Sequence, residues 1–489
     1  MMHPTSLSSW EKLKSQVQTN RLPLSTEKFQ CTSHDIRLDY SYQGINNEIL
    51  QLLLDLAKQC KLKKNIEDLL SGMKVNTTED RPALHTALRY FDKDPFFALK
   101  PEIIHQVLAT RERMFALAEQ IRNGQWLGYS GKAITDVVNI GIGGSQLGPQ
   151  FCINALIDFT TQTLNFHFIS DFDPNDFQRT VAKLNPETTL FIVSSKSFST
   201  METLSNARKA FAWIDQPQHN EKHFIAVTQE IEKALQLGIK TILPIWEWVG
   251  GRYSLCSAIN LITCIAIGSD HFLDFLAGAH AMDRHFYENE FEDNLPVLLA
   301  LIGIWNINFQ DINNLLILTY SHDLKHLIPY LQQLDMESNG KSVNKHGQHI
   351  HYNTGPLVWG GSGNQAQHSY YQLLCQGTNK VAADLITVDA FNDQAVNWIC
   401  MAQKTILTQG VVDEGSANGY IRGKTPINHI SLHSLKPKTI GSLIALYEHK
   451  VFVQSVIWNI NPFDQPGVES SKKLLKNTMT VSNSSLCLE

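Results

Sequence analysis

The chain has 489 residues, a formal net charge of −6 and 43% hydrophobic residues. That length exceeds one compact core, so two or three domains are expected, and Lys and Arg scattered without a basic stripe argue against a nucleic-acid partner. Eight cysteines with no CxxC pairing and no histidines at zinc spacing exclude a disulfide framework and a zinc module, and read as reduced core thiols.

In chain order, residues 1–105 form a mainly helical covering element with apolar stripes, such as Ile49, Leu52, Leu53 and Leu56, and a role in packing. The first residues, Met-Met-His-Pro-Thr-Ser, have no basic and then apolar leader pattern. The longest apolar run, 295–307, reads as a buried helix and is shorter than the roughly 20 residues a bilayer requires. No membrane partner and a cytoplasmic location are expected.

From about 134 the texture alternates. Strands are predicted at 134–140, 164–170, 190–194 and 224–228, with helical stretches between them, and again at 315–319, 357–360 and 385–388 after a helix-rich stretch at 255–310. Strand–helix alternation implies parallel βαβ units. Ligands then collect at the C-terminal ends of the strands. The expected organisation is a helical extension at 1–105, one α/β domain at 106–280, a related one at 281–435, and a helical segment with a polar tail at 436–489.

The first strand ends in Gly-Ile-Gly-Gly-Ser at 141–145. The dinucleotide fingerprint fails there, because its third glycine would fall on Gln146. The glycines suit close approach of a sugar to the backbone. The third strand runs into Ser-Ser-Lys-Ser-Phe-Ser-Thr at 194–200, with a helix from Met201. Five hydroxyls and one lysine at a helix N-terminus favour a phosphate over a merely polar loop with a helix cap. A phosphomonoester fits better than a nucleotide, since no P-loop pattern is present. Ser199 and Glu202 have the spacing of a capping box.

Arg252 emerges from Gly-Gly-Arg-Tyr-Ser at 250–254, ahead of a helix that Ser254 would cap. Its choices are a structural salt bridge or stabilisation of a developing oxyanion. Leu324, Leu327, Ile328, Leu331 and Leu334 define a helix ending near Asp-Met-Glu-Ser-Asn-Gly-Lys at 335–341, with Gly340 as a left-handed residue beyond its end. Glu337 is the candidate general base there, against the alternative of a solvated surface carboxylate. A second glycine turn at 360–363 leads into a helix capped by Asn364 or Gln367, with His368 in its first turn, where the helix dipole keeps the ring neutral. Near the end, Gln465 precedes a Pro-Gly turn, and Lys472 opens a basic helical face that could equally be ordinary solvation.

Six stretches in this order (GIGGS at 141, SSKSFST at 194, GGRYS at 250, MESNGK at 336, GGSGNQAQH at 360, FDQPGVESSK at 463) resemble the glucose-6-phosphate (phosphoglucose) isomerase family, over roughly 80–475. The resemblance implies an α/β fold of two sugar-isomerase (SIS) type doubly wound domains with parallel sheets, plus helical N-terminal and C-terminal extensions. It implies a homodimer with shared active sites and no cofactor or metal. Phosphate would be held by Ser195, Lys196, Ser197 and Thr200. Gly144, Ser145, Glu202 and Gln465 would line the sugar pocket. Glu337 would move the proton between C1 and C2, and Arg252 would stabilise the enediolate. His368, from the neighbouring subunit, and Lys472 would open the ring. The chain departs from the family pattern at Gln146, Asn260 and Ser470-Ser471, none of which removes one of these groups.

The implied function is aldose–ketose isomerisation of glucose 6-phosphate and fructose 6-phosphate, in glycolysis and gluconeogenesis. A non-catalytic sugar-phosphate-binding regulator is the alternative, and it would have no need of Glu337, His368 and Lys472 together. An amidotransferase-type isomerase would require an N-terminal cysteine nucleophile, and Cys31 has no such context.

Overall fold

The computed structural model describes residues 3–19, 28–391, 394–411 and 418–486. Eleven strands are present among them: β1 (Gln30–Ser33), β2 (Ile36–Tyr42), β3 (Asp136–Ile140), β4 (Asn165–Ile169), β5 (Thr189–Ser194), β6 (Phe224–Thr228), β7 (Thr241–Pro244), β8 (Asn314–Thr319), β9 (Leu357–Ser362), β10 (Ala382–Val388) and β11 (Ile427–Leu432). Seven were expected. The hairpin β1–β2 interrupts the stretch read as mainly helical, and β7 and β11 were not foreseen.

The strands form two sheets. The first runs β4-β3-β5-β6-β7, all parallel. The second runs β1-β2-β11-β10-β8-β9. Its last four members are mutually parallel, and β2 joins β11 antiparallel, closing that side with the β1–β2 hairpin. The parallel parts share one plan: the first strand in sequence lies inside, the second at an edge, and the third on the inner strand's other side. The order in which strands are added across the sheet thus reverses between β3 and β5, and again between β8 and β10. At such switch points two loops diverge above the strand ends and leave a crevice. Central strands such as β5 (Thr-Leu-Phe-Ile-Val-Ser) are buried along their whole length, as strands covered on both faces must be.

Helices Ser269–Glu288 and Pro437–Ile457 pack side by side in the core, and residue 280, the expected divide, lies inside the first of them. Helix Pro437–Ile457 is buried on all sides except at Lys438. Its polar residues are therefore paired. Glu448 accepts from Arg89 at 2.6 Å, and His449 lies 2.6 Å from Asp283, which also holds Arg89. Lys450 bonds Asp335. Burial pushes the Glu448 carboxyl up to about 7 despite Arg89. Burial acts the same way on Asp283, but there Arg89 and His449 outweigh it and hold the carboxyl near 2. The run at 295–307 is the expected buried helix, Leu295–Ile304, followed by a π-helical turn, Trp305–Phe309. No helix among the described residues is long and apolar enough to cross a membrane.

Candidate active site

The two loops predicted to carry ligand contacts leave adjacent strands at the first switch point. Asn139, inside β3, links them. Its side chain donates to Ser145 O at 2.9 Å and accepts from Ser194 Oγ at 2.9 Å. Both loops are thereby fixed by a fully buried amide, a role the sequence reading missed. Gly144 presses against the turn after β7, where a Cβ on it would lie 2.1 Å from Gly251 O. Only glycine fits there.

Within 194–200, Ser195 is buried and its Oγ lies 3.4 Å from Thr200 Oγ1. Ser197 is exposed and accepts from Ser199 Oγ at 2.9 Å. The expected capping box does not form. Thr200 is the N-cap of helix Met201–Ile214 and makes no side-chain cap bond, so Ser199 is not paired to Glu202, which lies in the first turn. An uncapped N-terminus leaves backbone donors for an anion. Phe198 holds the loop in a left-handed conformation, φ 43°, with its ring buried. That conformation is strained for an aromatic residue. Lys196 turns toward the turn after β7, donating to Glu247 O at 2.8 Å and Val249 O at 2.7 Å. Burial lowers its pKa to about 8, with Arg81 adding to the effect.

Arg252 lies in a short 3-10 turn, Gly251–Tyr253, and is 3% exposed. Ser254 is not the N-cap of a helix. It closes that turn by donating to Gly251 O, and Ser257 caps the next one through Ile259 N. The guanidinium donates to Ser338 Oγ at 2.6 Å, Gln465 Oε1 at 3.0 Å and Asp464 O at 3.1 Å, and also to Pro462 O. Its Nη1 lies 3.3 Å from Glu337 Oε2.

Glu337 ends a π-helical segment, Gln332–Glu337, that continues helix Leu327–Leu331. Such wide turns gather at functional sites because they re-aim side chains. The carboxylate is 22% exposed and accepts from Gln333 Nε2 at 3.0 Å. Gly143 comes close to the same Gln333 amide, a Cβ on it falling 3.0 Å away. Gly340 does follow the helical segment, but it is absent from the left-handed residues. Its need for glycine is steric, since a Cβ would sit 2.4 Å from Met336 O.

The site thus joins four remote stretches: 143–145, 251–252, 333–338 and 462–465. Tyr253 and Ser338, unassigned in the sequence reading, lock it, with Tyr253 OH 2.9 Å from Ser338 Oγ. Burial pushes the Tyr253 phenol up to about 12, so it stays protonated as a possible donor. The signal for Ser338 was its place beside Glu337.

His368 and Lys472 are not bonded to this cluster. The glycine turn at 360–361 is the end of β9, and the helix after it, Gly363–Ala366, is a single turn with Ser362 as N-cap. Neither Asn364 nor Gln367 is its N-cap, and Gln367 stands at its C-terminal end instead. His368 lies two residues beyond it and is exposed, so the dipole argument for a neutral ring fails. Lys472 is exposed on helix Pro466–Leu486 and lies 3.2 Å from Glu469.

Comparisons with known proteins agree in one direction. The phosphoglucose isomerase family model matches residues 39–487. A glucose-6-phosphate isomerase of Legionella pneumophila (strain Paris) is 52% identical over 484 residues, covering 96% of this chain and 97% of that protein. One from Coxiella burnetii is 45% identical, covering 90% and 86%. The crystal structure of a glucose-6-phosphate isomerase from Chlamydia trachomatis superposes with a TM-score of 0.90 at 28% identity, covering 99% of this chain and 97% of that one.

Proposed function

This chain belongs to the phosphoglucose isomerase family, its reaction is the reversible isomerisation of glucose 6-phosphate and fructose 6-phosphate, and we propose that Glu337 is the base that performs it. The observation that carries the assignment is the Glu337 carboxylate held 3.3 Å from the buried Arg252 guanidinium, at the meeting of four loops.

The reaction removes a proton from the carbon beside a carbonyl and returns it to the neighbouring carbon. One carboxylate does both if the intermediate keeps one face toward it. Glu337 is fixed by Gln333 on one side and faces Arg252 on the other. Negative charge grows on the substrate oxygens as the cis-enediolate forms, and Arg252 stabilises it. All its other bonds run to neutral acceptors, so its charge is committed only to Glu337 and the substrate. Ser195, Lys196, Ser197 and Thr200 bind the phosphate, and this remote contact positions the reacting carbons. Gly144, Ser145, Glu202 and Gln465 line the sugar.

Ring opening needs a separate acid and base, and His368 and Lys472 supply them. Both are exposed on a single chain, which suits a site completed across an interface. We assign a homodimer on that ground. Trp398 and Met401, one turn apart on helix Ala395–Gln409 and 65% and 49% exposed, offer it apolar surface. The seven free cysteines among the described residues suit a reducing compartment such as the cytoplasm.

Glu337→Gln is expected to bind sugar phosphate normally and to lower turnover by about a hundred- to ten-thousand-fold, the range of a general base. A coupled assay of fructose 6-phosphate conversion, with a binding measurement beside it, checks this. Near-parental turnover would remove the assignment.

A further inference from the structure

Lys341 closes the stretch that carries Glu337. Its ammonium lies among five oxygens: Glu337 O at 3.3 Å, Ser338 O at 3.0 Å, Asn461 O at 3.0 Å, Asp464 O at 2.9 Å and Asp464 Oδ1 at 3.0 Å. An ammonium has three protons, so these acceptors surround it much as they would a small metal cation. The side chain is 12% exposed. Burial lowers its pKa, and Asp464 works against that.

The five oxygens belong to two elements. Two are carbonyls at the end of the helical segment bearing Glu337, where carbonyls lack partners within the helix. Three come from 461–464, whose Pro462 and Asp464 carbonyls also hold Arg252. That second element is itself anchored. Asp464 Oδ2 accepts from Thr78 at 2.7 Å, and the Asn461 amide donates to Asn76 Oδ1 at 2.9 Å. One cation therefore spans the base's backbone and the cradle of the guanidinium that faces it.

We propose that Lys341 is a positioning residue, an ammonium that ties the backbone of Glu337 to the 461–464 segment and so keeps the Glu337 carboxylate and the Arg252 guanidinium at their 3.3 Å separation. It touches no reacting atom. The inference rests on Glu337 as the base. A misplacement of about 1 Å at a reacting group can cost about a hundredfold in rate while leaving the distant phosphate contacts intact. Loss of the ammonium therefore falls on kcat and spares KM.

Lys341→Met keeps an unbranched apolar stem, one atom shorter, and removes the charge. Its kcat is expected to fall roughly ten- to a hundredfold, with KM for fructose 6-phosphate changed less than about threefold. Incorporation of solvent deuterium at C1 of fructose 6-phosphate should slow in proportion. Lys341→Ala leaves room for a short alkylammonium ion, and propylammonium should restore several-fold of its lost turnover, whereas sodium at equal ionic strength should not. A folded Lys341→Met with kcat within about twofold of the parent, or one with raised KM and unchanged kcat, overturns the proposal. If Lys341→Met does not fold, Lys341→Arg decides. It keeps the charge but cannot place one nitrogen among five oxygens, so parental kcat in that variant also overturns it. Glu337→Gln is measured alongside. Normal turnover there defeats the base assignment itself, whereas an inactive Glu337→Gln beside a normal Lys341→Met defeats only the role of Lys341.

Discussion

Lys196 shows how a single side chain can set the useful pH range of the site. Burial brings its pKa down to about 8 in the free protein. Below that value the ammonium is charged and, in its proposed role, attracts the phosphate. As pH rises through about 8 the charge is lost, so kcat/KM, which reports the free protein, should fall about tenfold per unit above it. A bound phosphate dianion favours the charged form, so the same limb in kcat should lie at higher pH. Lys196→Arg should remove the limb from the kcat/KM profile, because a guanidinium stays charged. Lys196→Ala should raise KM by roughly ten- to a hundredfold, the worth of one charge-assisted bond, with a smaller effect on kcat. A profile for Lys196→Arg that keeps its limb near 8 would assign it to another group. At this scale the sequence was informative about residues that the fold brings together, because Glu337, Arg252 and Gln465 sit in short motifs with chemically readable neighbours. It was uninformative about what holds them. Arg252 is gripped by Ser338, Pro462, Asp464 and Gln465, which lie 86 to 213 positions away, and no local pattern encodes such pairings.

Among the elements, the buried pair Ser269–Glu288 and Pro437–Ile457 carries the tightest steric condition. A Cβ on Gly441 would lie 1.9 Å from Phe275 O, and one on Gly278 would lie 1.8 Å from Lys438 O. Two backbones meet at each point, so neither can yield as a flexible side chain would. Gly441→Ala should therefore cost at least about 1–3 kcal/mol through overpacking, despite alanine's better helix propensity. Thermal unfolding checks this, and an unchanged or raised melting temperature would contradict it. The site should feel the shift as well, because Lys450 and Gln454 on this helix bond Asp335 and Asn339, on either side of Glu337. The strands were legible where they are mainly apolar and rich in β-branched and aromatic residues, as in β5 and β6, which are buried along their whole length. β11 (Ile-Asn-His-Ile-Ser-Leu) escaped because its Asn and His pair with other buried polar groups, Asp384 and Thr387. β2 alternates Ile36, Leu38 and Tyr40 inward and was legible in principle, but it lies between strong helical stripes. The helix-start expectations at Ser199, Ser254 and Asn364 failed together. Each took a polar residue near a glycine turn or strand end as a cap, whereas tertiary bonds or short 3-10 turns claim those positions.

The whole molecule raises the question of where a complete site lies. Within one chain, Glu337, Arg252 and Gln465 are assembled, while His368 stands exposed and apart from them. If each site takes its His368 from the partner, as proposed, two inactive variants can repair one another. Glu337→Gln and His368→Ala should each be nearly inactive as pure homodimers. In a dimer containing one chain of each, one site receives both defects. The other receives the parental Glu337 of one chain and the parental His368 of the other. A two-fold interface places the same residues on both sides, so this arithmetic is fixed by symmetry. Random reassociation of equal amounts gives half mixed dimers, each with one working site in two, hence about a quarter of parental activity. The variants are mixed, dissociated and reassociated, and turnover is followed in the coupled assay. Recovery should appear only after subunit exchange, and should be absent when either variant is reassociated alone. Its absence after verified exchange would place His368 and Glu337 in the same chain's site, and the exposed position of His368 would then have to close on its own Glu337 during the reaction.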